Sequence, residues 1–198
     1  MSIQDKIRNR LRRRGRGSVF SPSDFADLGS RAAVDQALSR LVRGGTLRRL
    51  DRGTYDFPKT SARVGVRSPD ADKVAHAAVR RLGARLQRSG AVAAHALGLS
   101  DQVPARPVYY TDAPNRTVQA GTRQVVLRHA GPRSLLKAGT ISGDVHHALR
   151  FIGRDAIDDR VINHLRKRLS DRDRQTLLRD LTGFPAWVQD VMRKVATG

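Results

Sequence analysis

Between residues 18 and 57 the chain reads SVFSPSDFADLGSRAAVDQALSRLVRGGTLRRLDRGTYDF, and this run of signals constrains the fold more than any other. Ser21 reads as an N-cap, with Pro22 at the first helical position and Asp24 at the third, where a carboxylate favours the helix dipole. Phe25 and Leu28 supply a buried face, and Gly29 ends the element. Ser30 is a second N-cap. Over 31–42 the apolar residues Val34, Ala37, Leu38 and Leu41 recur at i, i+3, i+4 and i+7. Gly44 and Gly45 then stop the helix. Segments 46–50 and 54–57 read as paired strands about the tight turn Asp51, Arg52, Gly53. Upstream, Ile3, Ile7 and Leu11 are four apart and predict an amphipathic first helix. Two short helices followed by a Gly-tipped hairpin are the order of a winged helix-turn-helix, expected here over residues 1–58.

The charge balance says what such a unit would meet. The 198 residues carry 38 Lys and Arg against 18 acids, all of them Asp, for a net charge of +20. A strongly basic chain has a polyanion as its natural partner. Residues 1–58 hold 13 basic and 6 acidic groups, and 59–136 hold 13 and 4. The second helix of a winged unit enters the major groove. Arg31, Gln36 and Arg40 carry base-reading chemistry, since Arg pairs with guanine and Gln with adenine. Ser39 and Arg43 share that polar face, Arg48 lies on the first hairpin strand, and Arg52 at the hairpin tip would reach a minor groove or a phosphate. Arg12, Arg13 and Arg14 belong to the densest basic run, from Lys6 to Arg16, and are expected to track phosphates. These ten residues form the candidate DNA-binding set. Two acids sit awkwardly: Asp35 on the reading face, and Asp56 close to the expected phosphate path of the wing.

Beyond Pro58 the segment 59–72 reads as a polar connector, with a possible short strand at 63–67. A helix follows from Pro69 or Asp70 through Leu82, with Arg80, Arg81, Arg85 and Arg88 on its exposed side. Residues 91–99 read as a short small-residue helix in which His95 is partly buried. Strands are expected at 108–111, 116–118 and 123–129, the last the richest in β-branched residues. From 132 the pattern is helical, with helices at 142–152, 155–169, 171–181 and 185–195; Ser170 and Asp173 have capping-box spacing. The expected class is therefore α+β: a winged helix-turn-helix at 1–58, then a larger mixed α/β domain at 59–198 with a small sheet and a helical C-terminus.

No catalytic or metal-binding constellation emerges. The six histidines show no i, i+4 pair with a carboxylate. The segment 69–73, PDADK, lacks the separated acid and Lys that a restriction-type nuclease places on a strand. Phosphate-loop and nucleophile-elbow motifs are missing. No cofactor and no enzymatic activity are expected. Without cysteine, an apolar run near the ~20 residues a membrane span needs, or a signal-peptide pattern, a cytoplasmic protein with no membrane partner is expected. The alternatives are a non-catalytic module binding RNA or an acidic protein and, further off, a metal-dependent nuclease using Asp70 and Asp72.

A family resemblance sharpens this reading. The wing ends Arg52, Gly53, Thr54, Tyr55. A helix leads into SGAVAAHALGL (89–99), then a PVYYTD strand (107–112), a basic loop at Asn115 and Arg116, and a strand ending in Arg128 and His129. Over about residues 3–135 this resembles the AbiEi-type antitoxins of bacterial type IV toxin–antitoxin, or abortive-infection, systems. The resemblance implies a repressor that binds an inverted-repeat operator of its own operon. It also implies an antitoxin whose C-terminal domain neutralises a cognate nucleotidyltransferase-like toxin. Arg31, Gln36, Arg40 and Arg52 occupy matching winged-helix positions and take the role of DNA contacts by that resemblance; no toxin-neutralising residue is carried over. An inverted repeat requires either a dimer or two monomers side by side, and the residues leave both open.

Overall fold

The protein, seen in a computed structural model, is described for residues 1–63, 65–80 and 82–197. Val64 and Arg81, expected on a short strand and on a basic helix face, lie outside the described residues. The fold is mixed α+β, with small sheets and a helical C-terminal portion. It forms two compact units, Met1–Ala84 with Arg116–Leu127, and Arg85–Asn115 with Arg128–Gly198.

In the first unit, α1 (Ile3–Arg14) opens on a capping box between Ser2 and Asp5 and buries Ile7 and Leu11. A two-residue strand, β1 (Val19–Phe20), follows. Pro22–Leu28 forms the expected short helix, as a 3-10 helix whose start is tied by the Ser21 N–H donating to Asp24 Oδ2 at 2.8 Å. Helix α2 (Arg31–Arg43) is capped by Ser30 and buries Val34, Ala37, Leu38 and Leu41, the stripe its periodicity predicts. The chain then reverses through Gly45, at φ 66°, and the N–H groups of Thr46 and Leu47 both donate to the Leu41 carbonyl. Those two residues therefore close the helix end, and the hairpin starts later than the sequence suggests, as β2 (Arg48–Asp51) and β3 (Thr54–Asp56). Gly53, at φ 73°, makes the turn, a left-handed conformation glycine adopts without steric cost. The register shifts between Arg49 and Asp51, and β1 pairs with β3, giving the sheet order β1-β3-β2.

Within 59–72, expected as a polar connector with a short strand at 63–67, the strands β4 (Thr60–Ser61) and β5 (Gly65–Val66) pair antiparallel as a second small hairpin. Helix α3 (Ala71–Arg80) is capped by Asp70, which accepts from the Lys73 N–H at 3.0 Å. The first unit does not divide at residue 58. Arg80 of α3 ion-pairs with Asp24, and Arg48 donates to the carbonyl of Arg67 at 3.1 Å.

Helix α3 ends before Gly83, at φ 60°, so Arg85 and Arg88 do not extend its basic face. Instead β6 (Leu86–Arg88) pairs antiparallel with β7 (Val108–Thr111) in the second unit. Helix α4 (Gly90–Ala96) lies between them in sequence. The hairpin β8 (Arg116–Ala120) and β9 (Arg123–His129) pairs in continuous register from Arg116 opposite Leu127 to Ala120 opposite Arg123. The C-terminal helices are α5 (Ile141–Ile152), α6 (Asp159–Arg168), α7 (Asp171–Arg179) and α8 (Ala186–Thr197). The single helix expected at 155–169 is two pieces, because Asp158 acts as an N-cap and accepts from the Val161 N–H at 3.0 Å. The capping box of Ser170 and Asp173 is present. Ala93, Leu149, Leu165, Leu177, Val188 and Met192 form the heart of this unit's apolar core.

Candidate nucleic-acid interface

On the face of α2 opposite its buried stripe, Arg31, Gln36, Ser39, Arg40 and Arg43 are exposed. One turn's spacing brings Arg31 Nε to 2.8 Å from Asp35 Oδ2. The awkward acid of this face is thus matched along its own helix, and an exposed i, i+4 pair is held by only ~0.3–0.5 kcal/mol, so Arg31 can leave it for a stronger acceptor. Arg40 and Arg43 have no ion-pair partner among the described residues.

On the hairpin, Arg48 and Asp56 make a two-pronged pair: Nε donates to Oδ1 at 3.0 Å and Nη2 to Oδ2 at 2.6 Å. The Asp56 side chain is 1% exposed. Asp56 is therefore buried and matched rather than facing a phosphate path. Arg48, engaged with Asp56 and with the Arg67 carbonyl, is a structural residue of the β2–β3 hairpin and not a free contact. Arg52 is exposed at the tip. Its position is set by Arg116 on β8, a residue the sequence marks as basic but does not link to the hairpin. Arg116 donates through Nε and Nη2 to Asp51 Oδ2 at 2.9 and 2.6 Å, and through Nη2 to the Arg52 carbonyl at 2.8 Å. Asp51 also accepts the Arg52 N–H, at 2.6 Å. A pairing across 65 residues leaves no local signal, which is why the clamp is invisible in the sequence.

Helix α1 carries Arg12, Arg13 and Arg14 in its last turn. Arg12 and Arg13 are exposed and have no ion-pair partner among the described residues. Arg14 differs: its Nη1 lies 3.2 Å from Asp24 Oδ1 and its guanidinium sits over the Phe20 ring. Burial opposes ionisation of Asp24, yet the Ser21 N–H and the Arg80 and Arg14 guanidiniums outweigh it and hold the carboxyl below its ordinary value. Arg14 and Arg80 are thereby committed to the fold. The 59–67 hairpin adds exposed Lys59, Arg63 and Arg67 in a stretch without an acid, a basic surface the connector reading missed.

The histidines serve the backbone more than any site. His147 Nε2 and His164 Nε2 each lie 2.9 Å from a carbonyl, of Ser134 and Leu97. His95 is exposed, rather than partly buried as expected, with Nδ1 3.3 Å from the Ser100 carbonyl. Among the described residues no group of three or more His, Cys, Asp or Glu is placed to hold a metal ion, and no helix is long and apolar enough to cross a membrane.

Residues 6–177 match the family model described as DUF6088, a family of unknown function. The chain belongs to the DUF6088 family. A comparison with curated proteins returns no match. Among solved structures, the DUF6088 chain is similar to the crystal structure of the RV2827C protein from Mycobacterium tuberculosis, at 18% identity and a TM-score of 0.45, over 98% of this chain and 74% of that one.

Proposed function

We propose that the first unit is a winged helix-turn-helix that binds duplex DNA, and that the chain is a non-enzymatic, cytoplasmic repressor of its own operon. In this reading α2 is the recognition helix and β2–β3 the wing. The observation that carries it is a pair of exposed, uncompensated cationic elements on one unit. Arg40 and Arg43, beside Gln36 and Ser39, stand on α2; Arg52 stands on a wing tip held by the Arg116–Asp51 clamp. A flexible tip would lose ordering entropy on binding, and a held one loses less.

The contacts divide by role. Gln36 and Arg40, with Arg31 once released from Asp35, read base edges. Arg12, Arg13, Arg43 and Arg52 meet phosphates and set the register. Arg14 and Arg48 hold the unit together. The resemblance to AbiEi-type antitoxins extends the proposal to a type IV antitoxin, whose second unit acts on a nucleotidyltransferase-like toxin encoded beside it.

The deciding experiment is a titration of the full chain against its own upstream DNA and a scrambled duplex of equal length. At about 150 mM salt, a preference of about tenfold or more for the upstream DNA supports a specific regulator, since specific binding normally exceeds non-specific by ~10³ or more. Equal affinities refute base reading by α2. Growth rescue on co-expression with the neighbouring toxin gene tests the antitoxin half, and continued growth arrest rejects it.

A further inference from the structure

Helix α1 is basic on two sides, and the two are treated differently. On one side Arg10 and Arg14 each meet an acid, Asp27 at 2.6 Å and Asp24 at 3.2 Å. On the other, Arg8 and Arg12, with Arg16 just past the Gly15 cap, follow one another at four-residue spacing and have no ion-pair partner among the described residues. Side chains four apart on a helix lie one above the next, and like charges so placed cost stability. These three residues line a cleft of about 390 Å³ together with the chain reversal at Gly44 and Gly45 beyond α2 and with Phe57. Among the described residues no carboxylate lines it.

Arg16 is held in place before any ligand arrives. Its guanidinium sits 4.8 Å from the Phe57 ring centroid and its Nη1 donates to the Pro58 carbonyl at 3.0 Å. A cation fixed over an aromatic ring, with two more beside it and no ion-pair partner for any of the three among the described residues, is a preorganised anion seat.

We propose that this cleft binds phosphate esters, as a site separate from the reading face of α2. Guanidinium forks match phosphate oxygens in pairs, which a Lys cluster would not do. The cleft lies at the C-terminal end of α2, about 20 Å from Arg31 at its start and one turn beyond Arg40; none of Arg31, Gln36 and Arg40 lines it. The phosphate comes either from a nucleic-acid strand passing over α1 or from a free nucleotide. This inference does not depend on α2 reading bases.

The test uses the full chain, an Arg8→Gln/Arg12→Gln double variant, and a Lys167→Gln/Arg168→Gln control that removes two exposed cations from α6 of the second unit. Tripolyphosphate is titrated calorimetrically against each at constant chloride, and an arbitrary 20-bp duplex is titrated over a salt series. Binding of tripolyphosphate to wild type and control, weakened on the order of tenfold or more in the Arg8/Arg12 variant by loss of two charge-assisted contacts, supports a free phosphate ligand. No tripolyphosphate binding, but a salt slope for duplex binding lower by about 2 in that variant alone, at ~0.9 per phosphate, supports a strand phosphate. Losses equal to the control on both probes overturn the site. Relief of repulsion should also leave the Arg8/Arg12 variant melting at or above the wild-type temperature, and a lower melting temperature would mean that these arginines serve the fold instead. If the upstream-DNA preference fails while tripolyphosphate still binds, the DNA reading falls and this site stands.

Discussion

The two units solve the same problem, holding short elements in place, by different means. In the first, buried or half-buried acids act as hubs for arginine. Asp24 takes Arg14 and Arg80, Asp51 takes Arg116, and Asp56 takes Arg48. The second has acids of this kind too, Asp144 with Arg88 and Asp180 with Lys137, and adds close packing of backbone to them. Helices α4 and α5 approach so closely that a Cβ on Gly90 would stand 2.9 Å from the His147 carbonyl oxygen, and the segment before α5 folds back so that one on Gly143 would stand 2.6 Å from the Lys137 carbonyl oxygen. Ion pairs of the first kind take up some arginines and leave the remainder without partners. The comparison teaches that the cations open to a partner are defined by subtraction, after the acids have taken theirs.

The largest test of the contrast is Arg48→Met, which leaves the Asp56 carboxylate buried without its counter-charge. Breaking a buried pair from one side costs about 3–5 kcal/mol; because Arg48 itself is 30% exposed, the low end is expected. Hydrogen exchange of β3 amides should accelerate accordingly. A loss no larger than that of an exposed pair, ~0.5 kcal/mol, would show that the hub does not hold the β2–β3 hairpin.

The second unit should instead respond to acid. His146 is 3% exposed and neither ring nitrogen has a hydrogen-bond partner. Burial disfavours its imidazolium, with His147 and Arg150 adding to the effect, and moves the pKa from 6.5 to about 4. The unfolded chain then takes up a proton that the folded unit refuses. The stability His146 contributes is present above pH 6.5 and is lost as the pH falls from 6.5 towards 4, up to about 3 kcal/mol at ~1.4 per unit. Burial also lowers the pKa of His147, in the same direction. Fluorescence of Trp187, the single tryptophan, follows this unit in denaturant at each pH. His146→Leu should flatten the dependence, and an unchanged slope in that variant would assign it elsewhere.

Gly143→Ala is expected to cost about 1–3 kcal/mol by overpacking, because the clash with the Lys137 carbonyl is with backbone that cannot swing away. Gly44→Ala in the first unit is its counterpart. There a Cβ would meet only the Arg40 carbonyl, at 3.4 Å, with φ at −82°. Little change is expected, and equal losses in urea melts would remove the packing distinction. The smallest effect belongs to the exposed Arg31–Asp35 pair. Asp35→Ala should cost no more than ~0.5 kcal/mol while raising DNA affinity, since it frees Arg31 and removes a repelling carboxylate. Weaker binding in gel shifts would count against Arg31 as a contact.

Much of the fold was legible because its signals are local. The stripe Val34, Ala37, Leu38, Leu41 and the Ser30 cap delimit α2, and Ser170 with Asp173 delimits the start of α7. Three things were not. The strand β6, Leu86–Arg88, is too short to show alternation and reads as a continuation of α3; its pairing with β7 lies more than twenty residues away. Strand β1, two residues long, exists through β3 alone. The place where the first unit ends depends on Arg80 reaching Asp24 and Arg116 reaching Asp51.

The candidate interface divides the same way. That this chain is basic, that its N-terminal segment alternates short helices with a Gly-tipped hairpin, and which residues lie on the outer face of α2 all follow from composition, periodicity and caps. Thirty-two of the 38 basic residues are arginine, and along the sequence they look alike. Which of them are held, like Arg14 and Arg48, and which remain open, like Arg12, Arg40 and Arg52, is decided only when distant aspartates come within reach in the folded chain, because an ion pair depends on separation in space and not on separation in sequence.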